Sequence, residues 1–164
     1  MPDCGALCLE SFDFRLLPDI AVIDVENSST LRYAAWGSRL VYMFSQDMTG
    51  RPSAAMSLAK CRAHLDYFYF RIIGQGKPVY VDSVFCYPQS RIIRSEKTGL
   101  PFRGADGRIS SILMLQTFDT SQGGQDRLID VAAPSDLLHA SDTVTADGSS
   151  PRLDGQVERQ HLRF

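Results

Sequence analysis

Apolar positions along this chain change period several times, and each change marks an element. Ile20-Ala21-Val22-Ile23 runs apolar without a break into Asp24-Val25, then meets the turn cluster Glu26-Asn27-Ser28-Ser29. Leu31 to Trp36 is a second strand-like run, so the two are expected to pair as an antiparallel hairpin. The period then lengthens. Leu40, Val41 and Phe44 fall at helical spacing behind Ser38, read as the N-cap, and Gly50 and Pro52 end that short helix. Leu58, Cys61, Leu65, Phe68 and Ile72 make a second helical stripe over residues 57–73. The run Tyr67-Phe68-Tyr69-Phe70 strains it, because aromatics then point all round a helix, and a strand in the second half is the alternative. The stripe persists through Ile72, and Gly74 and Gly76 supply a stop, which favours helix.

Three more strands follow, at residues 79–87, 91–102 and 109–118, the last two joined by Gly104-Ala105-Asp106-Gly107 with its Asp-Gly hairpin signal. The order β-β-α-α-β-β-β predicts an α+β fold: a five-stranded antiparallel sheet with helices on one face. The strand at 20–26 is expected to be central, with the last strand beside it. Residues 1–13 are a lead-in with a weak helix around 6–12, and residues 14–119 form the single domain. From residue 120 to 164 the chain is polar and rich in Asp, Ser and Gly. Such a tail buries too little apolar surface to offset its ordering entropy, so disorder is expected, with a short helix near 135–140.

Composition narrows the function classes. At 164 residues with 44% hydrophobic content the chain suits one domain with a real core. A net charge of -2 offers no electrostatic case for nucleic acid. No apolar run reaches the roughly 20 residues of a membrane span. Met1-Pro2-Asp3-Cys4 lacks the basic start and apolar core of a secretory signal, so a cytoplasmic protein is expected. Cys4, Cys8, Cys61 and Cys86 lack the paired spacing of a metal site, and disulfides do not suit that compartment. Cys61 and Cys86 therefore read as small buried hydrophobes, and no metal is expected.

Catalytic patterns are sparse. Of the three histidines, His139 and His161 lie in the polar tail, and no serine sits in a nucleophile-elbow context. Gly74-Gln75-Gly76-Lys77 lacks the strand and helix that flank a phosphate loop, and reads as a turn. His64 stands off the Leu58-Cys61-Leu65-Phe68 stripe and reads as a polar-face residue. An enzyme is not expected.

Several strings together resemble a PAS-like family of small alphaproteobacterial proteins with an Asp-x-Thr-Gly motif. They are Leu17-Pro18 before Ile23-Asp24-Val25, Leu31-Arg32-Tyr33 with Gly37-Ser38, Asp47-Met48-Thr49-Gly50, and Leu100-Pro101-Phe102 with Asp106-Gly107. The resemblance spans residues 14 to 119. Ala34 and Ser45 stand where the family usually carries a basic residue and a glycine. It implies a PAS domain acting as a stand-alone sensory or signalling module, which binds a small molecule or a protein partner and acts in trans. The alternative is a ligand-free interaction or dimerisation domain. In haem-binding PAS domains the second helix donates an axial histidine, but an off-stripe His64 does not suit that role, and Cys61-Arg62 lacks the flanks of the flavin motif. No cofactor is expected.

PAS domains form a cavity between sheet and helices. Tyr33, Trp36, Phe44, Phe68, Val81, Phe85, Leu113 and Leu115 are its candidate lining, and the same residues can instead simply fill the core. Asp47, Thr49 and Gly50 read as turn architecture, Asp47 bonding backbone amides and Gly50 taking positive φ. With a weak N-terminal helix, the sheet face away from the helices is expected to carry a homodimer or partner contact, through Val84 and Met114 among others.

Overall fold

A computed structural model of the chain describes residues 7, 9–27, 30–87, 91–119 and 136–142; residues 11, 60, 84–87, 91–93 and 136–142 are described by their backbone alone. The elements are β1 (Ile20–Asn27), β2 (Thr30–Trp36), α1 (Ser38–Phe44), α2 (Ala59–Gln75), β3 (Val79–Tyr87), β4 (Arg91–Arg103), β5 (Ile109–Asp119) and β6 (Asp136–Asp142). Every strand pairs antiparallel, in the order β2-β1-β5-β4-β3-β6. Five of these strands with two helices on one face form the α+β, PAS-like arrangement expected. The first strand lies beside β5, with Val22 opposite Leu113 and Ile23 opposite Ile112.

The sixth strand was not expected. Residues 136–142 pair with β3 in register, Ser83 opposite His139, where the sequence suggested a short helix. Leu137-Leu138-His139-Ala140 is too short to stand as an isolated helix, whereas the free edge of β3 offers it a row of backbone partners. The rest of the tail, Cys4, Cys8 and His161 lie outside the described residues.

The uninterrupted apolar run of β1 has a simple cause: both faces of the strand are buried. Ala21 and Ile23 enter the large core beneath the helices, while Ile20 and Val22 join a smaller cluster on the other face with Phe102 and Leu113. Leu7, Leu9 and Phe12 of the lead-in pack on that second cluster, and only Leu9–Ser11 forms a helical turn, of the 3-10 type. The part of the outer face around β1, β4 and β5, expected to be open for association, is therefore covered by the chain itself, while Leu100 on the same face stays exposed. Met114, assigned to that outer face, instead lies fully buried in the core under the helices. The side chain of Val84 lies outside the described residues.

α1 begins at Ser38 with Gly37, not Ser38, as its N-cap, and no side chain caps it. Glycine is required there by closeness: a Cβ on Gly37 would lie 2.3 Å from the Pro18 carbonyl oxygen. α2 is helical throughout, which settles the aromatic run in favour of helix, and it ends at Gly76 in the left-handed region (φ 61°). Its buried face is Cys61, His64, Leu65, Phe68, Tyr69 and Ile72, and Tyr67 and Phe70 are left exposed.

Candidate functional site

The inner sheet face is apolar along β1 and β2 and mixed along β3, β4 and β5, where buried polar residues stand among apolar ones. Alternation along β3 sends Val79, Val81 and Ser83 inward; along β4 it sends Ser95, Lys97 and Gly99; along β5, Ile112, Met114 and Gln116. Ser83, Lys97 and Gln116 are completely buried and Ser95 nearly so. Register places them together: Ser83 opposite Ser95, and Lys97 opposite Gln116.

Hydrogen bonds join the cluster to the helix. Lys97 Nζ donates to Ser83 Oγ at 3.2 Å, and Ser83 Oγ lies 3.3 Å from His64 Nε2 on α2. Gln116 Nε2 donates to Ser95 Oγ at 2.8 Å, while Gln116 Oε1 is buried without a hydrogen-bond partner. Burial strips water from the Lys97 ammonium and pushes its pKa down to about 7, opposed by Cys61 and Asp82. Asp82 is itself clamped by Arg94, with Nε to Oδ1 at 3.1 Å and Nη2 to Oδ2 at 2.5 Å. Burial pushes the Cys61 thiol up to about 11, opposed by Lys97. Near neutral pH the cluster thus holds a lysine divided between amine and ammonium, beside a protonated thiol.

Aromatic rings close the other end of this interior. Tyr33 meets Trp36 edge-on at 4.7 Å between centroids, Trp36 meets Phe44 at 5.3 Å, and Phe68 meets Tyr69 at 5.5 Å. Burial raises the Tyr69 phenol well above the usual tyrosine range, with nearby Tyr33 and Asp66 reinforcing the shift. Trp36 Nε1 and Asp66 Oδ1 are buried without hydrogen-bond partners. Gly99 lets α2 approach here: a Cβ would fall 2.3 Å from Ile72 Cδ1 and 2.7 Å from Phe68 Cζ.

Of the cavity-lining candidates, Tyr33, Trp36, Phe44, Phe68 and Val81 share this interior. Leu113 and Leu115 do not; they belong with the cluster on the opposite face. In β5 it is Ile112 and Met114 that point toward the helices, a shift of one residue in a period-two element. Phe85 lies in β3 opposite Ile93 and Leu137, its side chain outside the described residues. His64 corrects a second expectation. It is buried rather than polar-faced, because it sits three residues after Cys61 and four before Phe68, on the same helical face.

The Asp47–Gly50 turn is architecture that ties the loop to the edge of β2. Thr49 N–H donates to Asp47 Oδ1 at 2.9 Å and Gly50 N–H donates to the Tyr33 carbonyl at 2.7 Å, Gly50 taking φ 72°. The Thr49 amide holds the Asp47 carboxyl below its usual range. Arg32 Nη1 donates to the Gly50 carbonyl at 3.0 Å. Lys97, Ser83, Ser95 and Gln116 are the site residues that the sequence reading missed.

No protein-family model matches the chain, and no curated protein matches it. Among solved structures, the fold is similar to the VqmA dimer of Vibrio cholerae described in the absence of target DNA, at TM-score 0.50 and 20% identity over 70% of this chain. VqmA bound to DPO gives TM-score 0.48 at 20% identity over 65% of this chain and 55% of that one. An RNA-binding light-oxygen-voltage receptor gives 0.48 at 17% identity over 79% of this chain and 39% of that one. The chain spans about half the length of the VqmA dimer's chain, 52%. At these identities the likeness is one of fold. Among the described residues no helix is long and apolar enough to cross a membrane.

Proposed function

We propose that this chain is a PAS-type sensory module that binds a small molecule between α2 and the sheet and signals occupancy through a shift of that helix. One observation carries it: fully buried Ser83, Lys97 and Gln116, with His64, Cys61 and Ser95, are set into an interior that is otherwise packed with apolar and aromatic side chains. Packing alone does not call for a buried lysine, since a Met or Leu fills the same volume without desolvating a charge. Perturbed ionisable groups in such a place are characteristic of functional sites. The position supports transmission, because His64 and Cys61 belong to α2 and Gly99 seats Phe68 and Ile72 of that helix directly on β4.

We propose no reaction. Native mass spectrometry of the purified protein is the direct test. A co-purifying small molecule, released on denaturation and lost in Lys97→Met, supports a ligand module. A protein that arrives empty and shows no thermal shift against a metabolite panel refutes it. Exposed Phe14, Leu16 and Leu17 at the start of the domain favour a second reading, a ligand-free interaction module, acting in trans through that apolar segment.

A further inference from the structure

Resting on the small-molecule reading above, we propose that the cluster around Lys97 is an anion subsite, and that the molecule sensed is a small organic acid bound as its carboxylate. The groups gathered there are chiefly donors. Lys97 Nζ, the Ser83 hydroxyl and the His64 imidazole form one hydrogen-bonded chain, the Ser95 hydroxyl belongs to the residue paired opposite Ser83, and an ionised carboxylate accepts only. Gln116 is the second, independent observation. It is completely buried directly opposite Lys97, and one end of its amide has no partner. Turned by 180°, the amide takes its bond from Ser95 Oγ through the carbonyl and leaves its NH2 as the end without a partner; which way an amide points is an assignment of the hydrogen-bond network. A carboxylate seated there gives that NH2 an acceptor, and a buried orphan end is otherwise costly. The acid's apolar part has a surface to lie on, since Phe68 sits over Gly99 two residues along β4 and Val81 lines β3.

Binding of this kind is linked to a proton. A carboxylate beside Lys97 favours the ammonium, so the complex takes up a proton wherever the free site holds the amine. The other ionisable groups near Lys97 are Cys61 and His64 from α2 and, from the outer face of β3, Asp82, held by Arg94; among the described residues β5 sets uncharged Gln116 opposite it. Cys61 remains a thiol throughout the neutral range.

The test uses the intact protein with benzoate, phenylacetate and acetate as probes and benzamide as the neutral isostere of benzoate. Calorimetric titration at pH 6.5 and pH 8.5 should show at least one carboxylate binding, about tenfold or more weaker at the higher pH, as proton linkage requires. Benzamide should bind at least tenfold more weakly than benzoate. Binding heats should differ between phosphate and Tris buffers at pH 8 by the heat of the proton taken up. Lys97→Met should lose the carboxylate. Should that variant not fold, the buffer comparison on the unmutated protein decides alone. Equal binding of benzamide and benzoate, carboxylate binding indifferent to pH and buffer, or no binding by any of the three acids overturns the subsite. A neutral molecule co-purifying with the protein would overturn it while leaving the sensory function standing, whereas an empty and unresponsive protein would sink both.

Discussion

At position 97 a lysine lies under α2 with its ammonium out of water, and its effect on stability depends on pH. The folded state holds this group with a pKa near 7, against a usual lysine value of 10.5, so between those values the unfolded chain binds more protons than the folded one. Stability therefore rises with pH across that window, by up to about 1.4 kcal/mol per pH unit from this group, and the penalty is fully present below pH 7. Lys97→Met should remove the slope. In urea titrations from pH 7 to 9 the stability of the unmutated protein should climb relative to Lys97→Met, and parallel curves would show that the ammonium is not desolvated as described. The range stops at 9 because Cys61, raised in the fold, works the other way from pH 9 upward. Asp47 invites a simpler test. Asp47→Ala removes the acceptor for the Thr49 amide and should cost about 1 kcal/mol, while Asp47→Asn keeps an acceptor and most of the stability. Chemical denaturation of both variants checks the difference. The aromatic part of this interior was legible as core because large rings at strand and helix spacing have few other places to go. The polar part was not, since Ser95-Glu96-Lys97-Thr98-Gly99 carries no apolar residue to mark a buried face, and nothing in its composition shows that α2 will lie across it.

Two glycines let elements of this fold approach closely, and they differ in what stands in the way. At Gly37 an added Cβ meets backbone oxygens of Leu17 and Pro18 at 2.5 and 2.3 Å, and backbone there cannot yield without moving the turn that precedes β1. At Gly99 it meets the side-chain tips of Ile72 and Phe68, which can rotate away. Gly37→Ala should accordingly be the more destabilising, by more than the roughly 1–3 kcal/mol expected of overpacking at Gly99→Ala. Thermal denaturation of the two variants ranks them, and a reversed order would mean that α2 is the less yielding contact. Element type and order were readable from periodicity, since β2, α1, α2 and the β4–β5 hairpin each carry their own spacing and stop signals. Face was harder. β1 and the middle of β5 are apolar on both sides, so Leu113 and Met114 are interchangeable by sequence, and only the packing of α2 on one face and of Leu7, Leu9 and Phe12 on the other tells them apart. β6 was invisible for a related reason: its place depends on the edge of β3 rather than on its own composition.

For the whole molecule, the cover on the outer sheet face bears on what surface the chain presents. Ile20, Val22, Phe102 and Leu113 form an apolar patch there, and Leu7, Leu9 and Phe12 lie over it as a partly buried strap. Just beyond the strap, Phe14 is 77% exposed and Leu16 41%. Among the described residues the strap holds the patch through Leu7, Leu9 and Phe12 and one 3-10 turn, a smaller contact than the helices make with the other face. Lifting it would expose contiguous apolar surface of the kind that drives association. The double variant Leu9→Asp and Phe12→Asp should therefore keep the β-sheet and α2 intact, lose about 1–3 kcal/mol of stability from the uncovered side chains, and self-associate more strongly than the unmutated chain. Light scattering across a concentration series, with circular dichroism as the check on folding, measures both effects. Adding Val22→Asp or Leu113→Asp to that variant should return it toward the lower-mass species by making the uncovered patch polar. A strapless variant that keeps the mass of the unmutated protein at every concentration would show that the outer face is not an association surface, and that contacts in trans must come from elsewhere on the fold.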